Sequence, residues 1–135
     1  MKFALIAILL IFPAAYAKAP ASNMQAVPGR EFRIRINQAV SFDRGRLKIT
    51  FQGVPQDSRC PEGVNCVWSG NAEVALSLVT ADGRSARITL NTHLDPREFD
   101  FHGYRIKLIS LTPSPRERQK INRNRYRAVL AVTKN

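Results

Sequence analysis

The sequence predicts an all-β fold, a small antiparallel β-sandwich or barrel of about six to seven strands. Three observations predict it. Apolar residues recur at every second position in several segments, Gly, Pro, Asn and Asp punctuate the gaps between them, and an apolar 3.6-residue periodicity is weak everywhere. No internal repeat appears, and the length suits one domain.

The chain opens with a segment that does not belong to this fold. Lys2 precedes an unbroken apolar run over residues 3–12, Pro13 interrupts it, and Ala15, Tyr16 and Ala17 form a small-x-small cleavage site. That three-part pattern predicts a signal peptide over residues 1–17, too short to span a membrane. No later segment is long or apolar enough to do so, which predicts a soluble mature chain of 118 residues, periplasmic or secreted. Residues 18–29 are small, polar and proline-bearing and are expected to form a flexible tail, leaving residues 30–135 as the β domain.

The strands follow in order. Phe32, Ile34 and Ile36 alternate with Arg33, Arg35 and Asn37. After a turn at Arg44, Gly45 and Arg46, Leu47, Ile49 and Phe51 alternate with Lys48, Thr50 and Gln52. A longer strand places Ala72, Val74, Leu76 and Leu78 on one face. Asp82 and Gly83 are a two-residue hairpin signal leading to Ala86, Ile88 and Leu90. Residues 98–111 read as one stretch of strand, with Gly103 as a bulge or bend that re-aims it between Phe101 and Tyr104, ended by Pro113 and Pro115. Residues 126–133 form the last strand, with Ala128, Leu130 and Val132 on one face.

The chain's two cysteines, Cys60 and Cys66, lie in one loop with its only tryptophan, Trp68. In an exported chain such cysteines pair, closing a tight ring that holds Pro61 and Gly63. On the chain-entropy model a ring this small contributes about 2 to 2.5 kcal/mol, so it shapes the loop more than it holds the fold. A metal or redox pair is the alternative, but His93 and His102 lie in other segments and no CxxC occurs. No cofactor or metal is expected.

The segment Asp-Ser-Arg-Cys-Pro, four residues, then Cys-Val-Trp-Ser-Gly, over residues 57–70, resembles the mark of an uncharacterised family of small exported bacterial proteins. The similarity extends over roughly residues 46–133, taking in the strand after Gly70 and the late strand ending in Pro-x-Pro. The resemblance implies a secreted β-rich domain and assigns no activity. Members often look like lipoproteins, whereas this chain has no cysteine at its cleavage site.

Around the ring, two readings stand side by side. Asp57, Ser58 and Arg59 either form a recognition edge that the disulfide preorganises, or serve the loop: Asp57 and Ser58 bonding its backbone, Arg59 pairing with a nearby carboxylate. Trp68 is expected to pack against the disulfide or under the loop as core, the alternative being a surface aromatic for stacking.

The formal charge is +11, with arginine as fifteen of the 21 basic residues, a composition suited to anionic surfaces. The charge concentrates in residues 113–127, where Arg116, Arg118, Lys120, Arg123, Arg125 and Arg127 face a single acid, Glu117. Ile121 and Tyr126 are its only large apolar residues, so it is not a membrane-inserting amphipathic helix. Either it contacts phosphate or sulfate groups with steep salt dependence, or it is a solvated connector guarding a strand edge.

Enzymatic chemistry finds little footing. Asp100 and His102 would share a strand face and lie near His93, Asp95 and Glu98, but no serine stands in a nucleophile motif and the spacing matches no standard metal site. No nucleic-acid reader motif is present. The expectation is therefore a non-enzymatic binding module of the bacterial envelope. Its anionic partner would be lipopolysaccharide, an acidic glycan or a lipid headgroup, met through the basic segment. An inhibitor or partner-capping domain that presents the Cys60–Cys66 loop to a protein partner is the alternative.

Overall fold

In the computed structural model, which describes residues 24–135, alternation becomes two packed sheets. The predicted signal peptide and residues 18–23 lie outside the described residues. The strands are β1 (Met24–Gln25), β2 (Glu31–Arg35), β3 (Ala39–Phe42), β4 (Leu47–Gly53), β5 (Glu73–Thr80), β6 (Ser85–Asn91), β7 (Glu98–Phe101), β8 (Tyr104–Thr112) and β9 (Arg127–Lys134). One sheet runs β1-β3-β4-β5-β6 and the other β2-β9-β8-β7. All pairings are antiparallel except β1 with β3.

The sandwich forms because one side chain in two is apolar and must leave water. Ile49, Phe51, Leu76 and Leu78 from the first sheet meet Ile106, Leu108, Leu130 and Val132 from the second, and all are fully buried. Phe32 on β2 and Phe42 on β3 bridge the sheets edge to face, with ring centroids 4.8 Å apart.

Three expectations need correction. Residues 98–111 are a hairpin, not one bulged strand: β7 and β8 pair across His102 and Gly103, which hold φ of 46° and 85°. Positive φ at both central residues is the turn whose twist matches a hairpin, and glycine takes it at no steric cost. His102 therefore sits in a turn rather than sharing a strand face with Asp100. A true bulge lies further on, where the β8–β9 register shifts between Leu108 and Ser110.

Second, the chain has a strand, β3, that its sequence pattern does not mark: it is four residues long with Val40, Ser41 and Phe42 all buried, so it shows no alternation. Third, the described part of the expected tail is docked. Met24–Gln25 pairs with β3, the Ala26 N–H donates to the Ser41 carbonyl at 3.0 Å, and the Gly29 N–H donates to that of Val132 at 2.7 Å. That pairing covers the edge of β3, which would otherwise present unpaired backbone groups.

Strand directions place the loops. Turns 43–46, 81–84 and 102–103 lie at one end of the sandwich. Connections 36–38, 54–72, 92–97 and 113–126 gather at the other, and they include every long loop.

Candidate functional site

The disulfide ring is held at this end by one arginine. Arg59 donates to Asp57 through Nε at 2.8 Å and Nη2 at 2.7 Å, a bidentate fork. The same guanidinium reaches the Leu111 carbonyl at 2.7 Å and that of Pro113 at 2.9 Å, crossing from the β4–β5 loop to the end of β8. Arg59 and Asp57 side chains are only 8% and 11% exposed. The Tyr126 hydroxyl donates at 2.9 Å to Asp57 Oδ2, the oxygen that also accepts from Arg59 Nη2. Desolvation pushes the Asp57 carboxyl up, but bonds from Arg59 and Tyr126 and the arginine's charge outweigh it and hold its pKa below the usual range. Burial first, then the Asp57 bond and charge, push the Tyr126 phenol up to about 12.

Cys60 and Cys66 are disulfide-bonded, with Cα atoms 5.9 Å apart. The ring leans on the neighbouring backbone. The Cys60 N–H donates to Ser69 O at 2.9 Å, Ser58 N–H to Asn71 O at 2.7 Å, and Ser58 Oγ to the same carbonyl at 3.0 Å. Gly70 closes the turn at φ 70°, where an added Cβ would stand 1.9 Å from the Ser58 carbonyl oxygen. Asp57, Ser58 and Arg59 thus spend their polar atoms within the loop and its support.

The basic segment packs directly beside the ring. Glu62 N–H donates to Pro115 O at 2.9 Å, residues 62 and 116 form a parallel bridge, and Arg116 pairs with Glu62 at 3.5 Å on the surface. Within the segment, Gln119 N–H bonds Arg116 O at 3.1 Å, and Arg118 between them holds φ 58°, a conformation that costs a non-glycine residue about 1 kcal/mol. Arg123–Arg125 forms a short 3-10 turn that Asn122 caps, accepting from the Asn124 N–H at 3.0 Å. Ile121 packs on the core and Tyr126 is buried.

The six cations named from sequence do not act alike. Arg123 is tied to Gln52 O at 2.7 Å, Arg116 to Glu62, and Arg127 belongs to β9, donating to the carbonyls of Asn124 and Tyr126 at 2.8 Å. Arg118, Lys120 and Arg125 form no ion pair among the described residues. Lys120 and Arg125 line a cavity of about 140 Å³ with Arg116, Gln119 and Glu62.

A third loop completes this end through a pair of buried asparagines that composition did not reveal. Asn71 Nδ2 donates to Asn91 Oδ1 at 2.8 Å, while Asn71 Oδ1 accepts from the N–H groups of His93 and Leu94 at 3.1 and 3.3 Å. Only their burial distinguishes these amides from surface ones. Between this loop, the ring and β8 lies a cleft of about 460 Å³, lined by His93, Arg97, Ser69 and Glu62 over Ile109 and Leu111.

Trp68 corrects the expectation of a packed indole: it is 60% exposed, and its neighbour Val67 is fully exposed. The ring it follows is too short to fold back over it, and the core is already filled from both sheets. Leu94 on the adjoining loop is also half exposed. The residues weighed for catalysis lie apart. His102 contacts Arg84 at 2.9 Å at the opposite end, Asp100 pairs with Arg105 at 2.7 Å, and His93 stays at the loop end. Among the described residues no three His, Cys, Asp or Glu side chains cluster as metal ligands, and no helix is long and apolar enough to cross a membrane.

Comparison with protein-family models, with curated proteins and with solved structures finds no match for the chain.

Proposed function

We propose that the protein is an exported binding module of the bacterial cell envelope whose long-loop end engages an anionic partner. The observation that carries this reading is the junction of two surfaces. A disulfide ring presenting Val67 and Trp68 sits against a basic segment in which Arg118, Lys120 and Arg125 lack acidic partners. Arg59 locks both to the end of β8, so little conformational freedom is lost on docking. Unpaired cations steer an anionic surface and supply salt-dependent affinity. An exposed tryptophan adds an amphipathic anchor. Export rests on the leader pattern of residues 1–17 together with the disulfide.

Exposure of Val67 and Trp68 also favours a second reading, a partner-capping domain whose ring enters an apolar pocket. Binding of the oxidised mature protein to lipopolysaccharide and to heparin over a salt series separates the two. Two triple variants carry equal charge loss: Arg118→Gln, Lys120→Gln, Arg125→Gln at the loop end, and Arg33→Gln, Lys48→Gln, Arg87→Gln on the strands. The anionic reading expects only the first triple to lose affinity. Equal losses mean that net charge alone drives binding, and the reading fails. Salt-insensitive binding that Trp68→Ala abolishes would refute the anionic reading and favour docking of the ring in an apolar pocket.

A further inference from the structure

We propose that β2 and β9 carry a second anion subsite beside the loop end, and that the two subsites together take one acidic glycan chain. This rests on the reading of the loop end as anion-binding. The Arg123–Arg125 turn contributes residues to two clefts. Arg125 lines the cavity already described, and the next residue back, Asn124, lines a different cleft of about 380 Å³ with Arg35, Asn37, Gln38 and Arg127.

Arg35 and Arg127 are direct cross-strand partners. Their neighbours Ile34 and Ala128 are fully buried, so the two-residue period turns both guanidiniums to the outer face. Cβ atoms of such partners stand about 4.5–5.5 Å apart, and like charges there destabilise a sheet. No acidic side chain lines this cleft to relieve them. Arg127 spends Nη1 on two carbonyls, leaving its other nitrogens, and the Arg35 guanidinium has no partner among the described residues.

Three amides surround the pair. Gln38 Oε1 already accepts from the Arg35 backbone N–H at 2.9 Å, so its NH₂ is the group left over. The side-chain amides of Asn37 and Asn124 line the same cleft. Two forked cations neutralise an oxyanion, while amides that both donate and accept match the hydroxyls of a sugar bearing it. Because adjacent residues line the two clefts, a chain with repeated charges can occupy both, whereas a lone anion occupies one.

The test measures a labelled heparin oligosaccharide binding to the oxidised protein across a salt series, with linear polyphosphate as the sugar-free comparison. Arg35→Gln is expected to lower heparin affinity roughly fivefold. It should also reduce the steepness of log K against log salt by about 0.7, one contact's worth. Its melting temperature should hold or rise, since a repulsive pair is removed, which separates lost binding from lost folding. Asn124→Ala should weaken heparin and leave polyphosphate unchanged.

Wild-type affinity and slope in Arg35→Gln would overturn the second subsite. If a Lys120→Gln, Arg125→Gln variant still loses binding, the loop-end reading survives that outcome; if it too binds normally, both fall. Equal effects of Asn124→Ala on the two probes, or none, would overturn the glycan assignment.

Discussion

Replacing Arg59 by alanine should be among the most damaging single changes in this protein that leaves the hydrophobic core intact. The change removes a guanidinium 8% exposed that makes two bonds to Asp57 and one each to the Leu111 and Pro113 carbonyls. Asp57, 11% exposed, would keep its charge with only the Tyr126 hydroxyl and the backbone N–H of residue 59, at 3.3 Å, to bond it. Removing one member of a buried ion pair costs about 3–5 kcal/mol, because the other charge stays desolvated. The orphaned carbonyls would add about 1–3 kcal/mol each if dry. They will not stay dry, since Arg59 lines the 460 Å³ cleft and water can enter where it stood.

A loss of about 3–4 kcal/mol follows, a large part of a typical total of 5–15. For a domain this size that is roughly 15 °C in melting temperature. Arg59→Lys keeps the charge but not the fork and should lose about half as much. Urea unfolding of the oxidised protein, read as the shift in midpoint, measures both.

The Asp57 pKa provides a second readout. It is lowered on folding, so its contribution is present above the unfolded value near 3.9 and is lost as pH falls through the folded value. Arg59→Ala should flatten that acid limb. A loss below about 1 kcal/mol, or an unchanged acid limb, would mean that the pair is screened like a surface ion pair. The argument that Arg59 preorganises the loop end would then fail.

Two further predictions probe the same end. Gly70→Ala should cost about 3 kcal/mol or more or abolish folding, because its Cβ would meet the Ser58 carbonyl oxygen at 1.9 Å on a backbone with φ 70°; a normal urea midpoint would contradict this packing. At high pH the sign reverses. The Tyr126 phenol is raised to about 12 in the fold, so its contribution is intact below the unfolded value near 10 and is lost as pH climbs to 12. Tyr126→Phe should flatten this limb, leaving a residual slope from Tyr104, whose phenol is raised by burial and by Asp43. An absorbance titration showing native tyrosines ionising near pH 10 would refute it.

The strands were legible because a half-buried sheet writes its period into local sequence, as in Val74, Leu76 and Leu78 or Ala128, Leu130 and Val132. Asp82 and Gly83 mark their hairpin for the same local reason, although the turn is not the expected two-residue one: it spans residues 81–84, Thr80 N–H donates to Arg84 O, and Gly83 alone takes positive φ. The His102 and Gly103 turn does not, because positive φ is uncommon for any non-glycine residue and alternation continues on both sides of it. β3 was hidden by its length and its burial on both faces. Asn71 and Asn91 look in sequence like any surface amides; only the fold makes them a buried bonded pair.

By itself, then, the sequence determined the sheet class, the disulfide ring and the excess of arginine, all of them properties of near neighbours along the chain. It could not tell whether the ring and the basic segment were rival surfaces. Strand pairing decided that: alternating directions bring residues 54–72 and 113–126 to one end, and Arg59 can then bond carbonyls more than fifty residues away. The exposure of Trp68 and the facing of Arg35 by Arg127 were decided in the same way. Both depend on which surfaces the two sheets use up against each other, and no local pattern encodes that.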